Sequence, residues 1–172
     1  TEDVKDQVLQ SQVAMNANGT RLIHSIAGCG CNGIGFAKVY ERNTETSQWS
    51  PLGDRIQGEG SYGSAAAISG DGQTITIGAP QLATETDLFG NGLVEVLRFD
   101  TGLQQWLPHG NAIAGTANAQ QLGAAVALSQ DAETLVIGSP GASTEFANKG
   151  GKVSIFKFDN LTSDWQLIQD HD

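Results

Sequence analysis

Apolar positions along the chain come in short alternating runs, each cut off by glycine, asparagine, aspartate or serine. That pattern predicts many short strands joined by tight turns, because a helix would repeat its apolar residues every three or four positions. Three runs are near copies: Ala37-Lys-Val-Tyr-Glu-Arg42, Val94-Glu-Val-Leu-Arg-Phe99 and Val153-Ser-Ile-Phe-Lys-Phe158. A tryptophan follows each at the same interval of twelve residues, at Trp49, Trp106 and Trp165. With nothing inserted or deleted in that interval, the copies share a hairpin of fixed length.

The match extends both ways. Trp49-Ser-Pro-Leu-Gly-Asp-Arg-Ile-Gln-Gly58 pairs with Trp106-Leu-Pro-His-Gly-Asn-Ala-Ile-Ala-Gly115, while the third copy, Trp165-Gln-Leu-Ile-Gln169, is not completed before Asp172. Upstream, Ala67-Ile-Ser-Gly-Asp-Gly-Gln-Thr-Ile75 matches Ala127-Leu-Ser-Gln-Asp-Ala-Glu-Thr-Leu135, with Ala14-Met-Asn-Ala-Asn-Gly-Thr-Arg-Leu22 as a divergent first copy. Next, Ile77-Gly-Ala-Pro80 matches Ile137-Gly-Ser-Pro140, and Ile26-Ala-Gly28 reads as a degraded equivalent. Each repeat therefore predicts four strands. In the second copy these are Ser64–Ser69, Thr74–Gly78, Gly92–Asp100 and roughly Gln105–Ile113, with a tight turn at Asp71-Gly72.

The third strand is apolar on both faces. Val94 and Val96 point one way and Leu97 and Phe99 the other, and Val153 and Ile155 oppose Phe156 and Phe158 in the third copy. A sheet with two apolar faces is covered on both, as in stacked β-propeller blades. The expectation is an all-β chain of three four-stranded antiparallel blade-like repeats at 1–57 (divergent), 58–114 and 115–172, together one domain or a piece of a larger propeller. Three blades are fewer than the four to eight that close a ring, so an open or partial propeller is expected. The alternative is a β-trefoil, which also has three four-stranded repeats. Thr1–Gln12 is read as the remnant of a preceding blade or an edge that pairs with another chain.

Tyr62-Gly-Ser-Ala-Ala-Ala-Ile-Ser69 and Leu122-Gly-Ala-Ala-Val-Ala-Leu-Ser129, followed by the Asp turn, Ile-Gly-Ala-Pro and Gly-x-Val, resemble the FG-GAP repeat of integrin α-subunit propellers. The Trp-x-Pro-x-Gly-x-x-Ile-x-Gly tail resembles a variant found in algal and bacterial surface proteins. The resemblance spans about residues 13 to 169 and implies adhesion, matrix assembly or subunit docking outside the cell. It would also imply calcium, held by an Asp-rich loop between the first two strands. Here that loop has one acidic residue per copy, Asp71 and Asp131, with Asn18 in the first. A calcium cage takes six to eight oxygens, so the site is not carried over. These residues read as turn formers, and no cofactor is expected.

The chain has 172 residues and a net charge of −10, from 9 Lys and Arg against 19 Asp and Glu. That balance repels phosphate backbones and anionic lipid, which disfavours nucleic acid and membrane surfaces as partners. No apolar run is long enough to span a bilayer, so membrane insertion is not expected. No signal peptide is read, and Thr1 reads as the start of a mature or trimmed chain. Asn18-Gly-Thr20 and Asn160-Leu-Thr162 are N-glycosylation acceptor patterns in predicted turns, which favours a secreted or cell-surface location.

The candidate chemistry is sparse. Cys29 and Cys31 could form a disulfide, remain free thiols or bind a soft metal, but no Cys or His set completes a tetrahedral site. His24, His109 and His171 fall at unlike repeat positions with no local nucleophile motif. The loops between second and third strands differ most among copies, and variable loops on a repeated scaffold are where binding concentrates. Glu85, Asp87, Phe89, Glu145 and Phe146 lie there and offer an apolar patch with an acidic rim. The tryptophans invite sugar stacking, but their fixed register reads as packing between repeats. The resulting expectation is a non-catalytic interaction, adhesion or assembly module whose partner is a protein, another copy of itself or a glycan. One alternative is a carbohydrate-binding module. Another is a piece of a propeller hydrolase or lyase, which calls for a cluster of histidines and carboxylates in the folded chain.

Overall fold

The computed structural model describes residues 10–28, 33–82, 90–117, 119–144 and 147–172. The described residues hold strands and turns but no helix. Each repeat forms its own antiparallel sheet, an up-and-down meander of successive strand positions. Sheet 1 contains β1 (Ser11–Met15), β2 (Arg21–Ile26), β3 (Gly35–Arg42), β4 (Trp49–Pro51) and β5 (Ile56–Gly58). Sheet 2 contains β6 (Ala65–Ile68), β7 (Thr74–Ala79), β8 (Leu93–Asp100), β9 (Gln105–Pro108) and β10 (Ile113–Ala114). Sheet 3 contains β11 (Ala125–Leu128), β12 (Thr134–Ser139), β13 (Lys152–Asp159) and β14 (Asp164–His171). The first strand starts within the segment read as a remnant, since Ser11 and Gln12 pair with Ile26 and Ser25.

The extra strands in sheets 1 and 2 are halves of one position. β4 and β5 both pair with β3, at its two ends, and β9 and β10 do the same on β8. Each sheet is thus four-stranded in plan. The break follows from Pro51-Leu52-Gly53 and Pro108-His109-Gly110, whose glycines take φ of +73° and +83°, a conformation open to glycine and strained for other residues. The third copy has Leu167-Ile168-Gln169 instead, so β14 runs through, and its surplus residue becomes a bulge that leaves Ile168 unpaired.

The turns between first and second strands form as their residues dictate. In sheet 2, Ser69 Oγ donates to Asp71 Oδ1 (2.6 Å), which also accepts from the Gln73 amide (2.9 Å), while the Thr74 amide donates to Ser69 Oγ (3.0 Å). Ser129, Asp131, Glu133 and Thr134 repeat this network in sheet 3. Both carboxylates are engaged in holding a turn.

The sheets stack through two apolar layers. Ile23, Ala37, Val39 and Leu52 of sheet 1 meet Ile75, Ile77, Leu97 and Phe99 of sheet 2. Val94 and Val96 on the opposite face of sheet 2 meet Leu135, Ile137 and Trp165 of sheet 3. The two-faced third strand is therefore covered on both sides in sheet 2. Contacts between sheets concentrate on the first strands, β1 against β6 and β6 against β11, which places those strands at the converging edge. Three separate stacked sheets are not the single barrel of a β-trefoil. Polar ties reinforce the stack. Arg21 donates to Glu41 through Nε and Nη2 (2.9 and 2.7 Å) and through Nη1 to the Gly72 carbonyl of the next sheet (3.2 Å).

The pairing corrects one repeat assignment. Ala65 pairs with Gly78, Ala125 with Gly138 and Gln12 with Ser25. Ser25, Gly78 and Gly138 are therefore equivalent. His24, not Ile26, stands at the place of Ile77. The two isoleucines aligned by letter are two residues out of step.

Candidate functional site

In a four-strand meander the connections from second to third strand, and from one sheet to the next, emerge at the same end. That end therefore gathers connections from every sheet. The inter-sheet connection 59–64 brings Tyr62 between sheets 1 and 2. Its carbonyl sits over Gly35, where an added Cβ would lie 1.7 Å away, and its ring packs on Gly58. Its hydroxyl donates to Glu95 Oε2 on β8 (2.7 Å). Burial, and then the negative charge and hydrogen bond of Glu95, push the Tyr62 pKa far above the usual phenol range. Tyr62 thus remains a neutral donor that holds Glu95 in place. Around it, Ser61 Oγ donates to Gln81 Oε1 (2.8 Å), Ser64 Oγ to the Ser61 carbonyl (2.6 Å) and Ser25 Oγ to the Gly63 carbonyl (2.8 Å). In sheet 3, Leu122 and Ser154 replace Tyr62 and Glu95, and Ser154 Oγ donates to Asp170 Oδ1 (2.6 Å).

Glu85, Asp87, Phe89, Glu145 and Phe146, together with Cys29 and Cys31, lie outside the described residues. The ends of their segments are described and close together. A Cβ on Gly28 would lie 2.1 Å from the Gly33 carbonyl oxygen, and one on Gly90 would lie 2.8 Å from Gln81 backbone atoms. Among the described residues no three of His, Cys, Asp and Glu converge as a metal site would require. Of the remaining expected residues, Asn18 and Asn160 are exposed in turns at the opposite end.

The tryptophans do not form a sugar platform. Trp106 Nε1 donates to the Leu52 carbonyl of sheet 1 (2.9 Å), and Trp165 Nε1 to the His109 carbonyl of sheet 2 (2.8 Å). Each indole lies against the glycine that breaks the preceding sheet's last strand, Gly53 or Gly110. The His109 ring stacks on Phe158 with centroids 4.0 Å apart, and Trp165 meets both edge-on. Burial, and then Arg98, lower the His109 pKa, so this ring packs as neutral imidazole.

The residues missed from sequence are Ser61, Tyr62, Gln81 and Glu95. Glu95 carried a signal: it is a charge between two apolar residues on a strand that buries both faces, a position that calls for a partner.

No protein-family model matches the chain, and no curated protein is similar to it in sequence. Solved structures do share its fold. The periplasmic gluconolactonase of Pseudomonas aeruginosa superposes with a TM-score of 0.58 at 15% identity, over 92% of this chain and 42% of that one. A hypothetical selenium-binding protein from Sulfolobus tokodaii gives 0.59 at 7% identity, over 94% and 40%. Sqt1 of Saccharomyces cerevisiae gives 0.51 at 12% identity, over 95% and 36%. The chain spans about two fifths of the length of these neighbours. The FG-GAP resemblance finds no family support, nor do the adhesion role it implied or the glycoprotein character read from the acceptor patterns. The expectation of a non-catalytic interaction or assembly module is also corrected. The propeller-like neighbours include a protein named as a gluconolactonase, an enzyme and not a non-catalytic module. At these identities the likeness is one of fold: three four-stranded antiparallel sheets in a general β-propeller-like arrangement.

Proposed function

We propose that the chain is a three-blade piece of a hydrolase-like β-propeller, with blades at 1–57, 58–114 and 115–172, acting on a small cyclic ester of the sugar-lactone class. The observation that carries this reading is the superposition of 92% of the chain on the periplasmic gluconolactonase. In a propeller the substrate sits where the loops of several blades converge, and each blade supplies only part of the site. Lactone opening needs a base to activate water and fixed donors for the developing oxyanion. Glu85, Asp87 and Glu145 are the candidate carboxylates that the sequence offers for that base. The hydrogen-bonded floor of Ser61, Tyr62, Gln81 and Glu95 would hold the blade ends that carry those loops.

The test is proton release from glucono-δ-lactone, followed by titration at constant pH against the spontaneous rate. Turnover above background is expected from the three blades within the complete propeller. Loss of a working base in Glu85→Gln, Asp87→Asn or Glu145→Gln should lower it by about a hundredfold or more. Spontaneous rates only, at any protein concentration, would refute the reading.

A further inference from the structure

The seam between sheets 1 and 2 and the seam between sheets 2 and 3 are built to one plan. The Leu52 amide donates to the Val39 carbonyl (2.9 Å) and the His109 amide to the Val96 carbonyl (2.8 Å), so Leu52 and His109 stand at the same place on successive sheets. An indole of the next sheet clamps the carbonyl of each, Trp106 on Leu52 (2.9 Å) and Trp165 on His109 (2.8 Å). A phenylalanine of the next sheet's third strand backs each clamp, with Phe99 centred 5.1 Å from Trp106 and Phe158 centred 5.3 Å from Trp165. One hydrogen bond crosses each seam at the turn tips. The Ala17 amide donates to the Gly70 carbonyl (3.1 Å), and the Gly70 amide to that of Gln130 (2.9 Å).

The two seams differ at the clamped residue. Leu52 is a buried aliphatic that no change of pH can charge. His109 puts a titratable ring in the same place, stacked on Phe158 at 4.0 Å and met edge-on by Trp165 at 6.3 Å. A ring held against two aromatics cannot hydrate a new charge without giving up contact. The charges around it do not offset that cost. On β8, Arg98 lies two residues on from Val96, where sheet 1 has Glu41 two residues on from Val39. Glu41 is paired with Arg21, whereas no carboxylate pairs with Arg98 among the described residues. Asp100, also on β8, accepts the Gly102 and Leu103 amides (2.8 and 2.9 Å). Asp164 on β14 accepts the Asn111 amide and side chain (2.8 and 2.7 Å). Lys157 and Asp159 alternate with Phe158 and so point to the other face of β13. β9 and β12 carry no charge, and Glu133, whose carbonyl accepts the Phe158 amide, is exposed. Arg98 is the unpaired charge beside the ring, and it has the sign an imidazolium would have. Burial, and then Arg98, hold the ring below the usual imidazole range.

We propose that His109 is a pH switch that loosens the seam between sheets 2 and 3 in acid and leaves the Leu52 seam between sheets 1 and 2 closed. An unfolded chain takes up this proton as pH falls through about 6.5, while the stacked ring resists it to a lower pH. The stability held at this seam is therefore whole above that range, falls as pH drops below it, and levels off once the folded ring is charged. The Trp165 clamp is on the carbonyl of His109 itself, so a ring that moves out to water strains the clamp and the turn-tip bond that joins the same two sheets. The inference rests on the seam geometry and is independent of lactone chemistry.

The test is amide hydrogen exchange at Gly70 and Ala17 from about pH 7.5 to about pH 5, with the His109 ring titrated by nuclear magnetic resonance over the same range. Protection of Gly70 should fall severalfold more than that of Ala17, and the ring should titrate below the free-histidine value. His109→Leu, which installs the residue that sheet 1 has at this place, should abolish the difference between the two amides. Arg98→Gln should move the titration toward the ordinary value and shrink the difference. A ring that titrates at or above the ordinary value, equal loss at both amides, or a selective Gly70 loss that persists in His109→Leu would overturn the proposal. If His109→Leu fails to fold, Arg98→Gln carries the test with the same readouts, and an unmoved titration there would overturn it.

Discussion

Gly78→Ala should destabilise the chain by about 3 kcal/mol or more, although alanine suits a strand at least as well as glycine. The added methyl would sit 2.0 Å from the Gly123 carbonyl oxygen and 3.0 Å from its carbon. These atoms are backbone, and the Gly123 amide is tied to its own sheet by a hydrogen bond to the Gly138 carbonyl, so no rotamer change can relieve the clash. Overpacking a well-filled interior costs about 1–3 kcal/mol, and more where the obstacle is rigid. The matched control is Gly138→Ala at the equivalent position of blade 3. There the new methyl meets only Ala125, whose Cβ is nearest at 3.2 Å, and in this chain the change should stay within about 1 kcal/mol. Urea unfolding followed by circular dichroism measures both. Equal effects would mean that the sheets do not stack as described.

Trp165→Ala should be the most damaging single substitution in the third repeat, costing about 3–5 kcal/mol. Trp165 is buried, packs against Phe158 and His109, and donates to the His109 carbonyl. Its loss opens a cavity between blades and leaves that carbonyl without its donor. Against a typical stability of about 5–15 kcal/mol, much of the native population would be lost. Trp165→Phe retains most of the apolar area and removes the N–H, so about 1–2 kcal/mol is expected. Trp49→Ala removes the same residue from the same repeat position, where the indole is half-exposed and clamps no other sheet among the described residues, and it should cost well under about 1 kcal/mol. A Trp49→Ala chain as unstable as Trp165→Ala would contradict the clamp.

These contrasts also mark what was legible in sequence. The twelve-residue interval to each tryptophan and the Ser-x-Asp turns are local signals, and the hairpins they predict formed. Val94 and Val96 opposed to Leu97 and Phe99 announced that the sheet is covered twice. The glycines were harder. Gly78 reads as a weak strand residue until its neighbour across the blade boundary is known. Ser25 occupies the same position with a side chain that bonds the Gly63 carbonyl instead, which hid the register of the first copy. The Tyr62 to Glu95 bond joins residues 33 apart and follows only from the fold. The FG-GAP resemblance rested on Gly, Asp and apolar positions that build a blade, and such positions carry architecture without chemistry. The functional expectation failed for a related reason. In a fold where each blade lends one loop, no single repeat announces an active site.

The account rests on sheets that stack face to face, and amide hydrogen exchange at the turn tips tests this most directly. In a free hairpin the Ala17 and Gly70 amides would face water and exchange at nearly the unstructured rate. In the stacked arrangement both donate to the neighbouring blade, so protection approaching that of the strand interiors is predicted. Free exchange at both amides, with the strands still protected, would mean that the three sheets fold without stacking and would contradict the propeller-like arrangement.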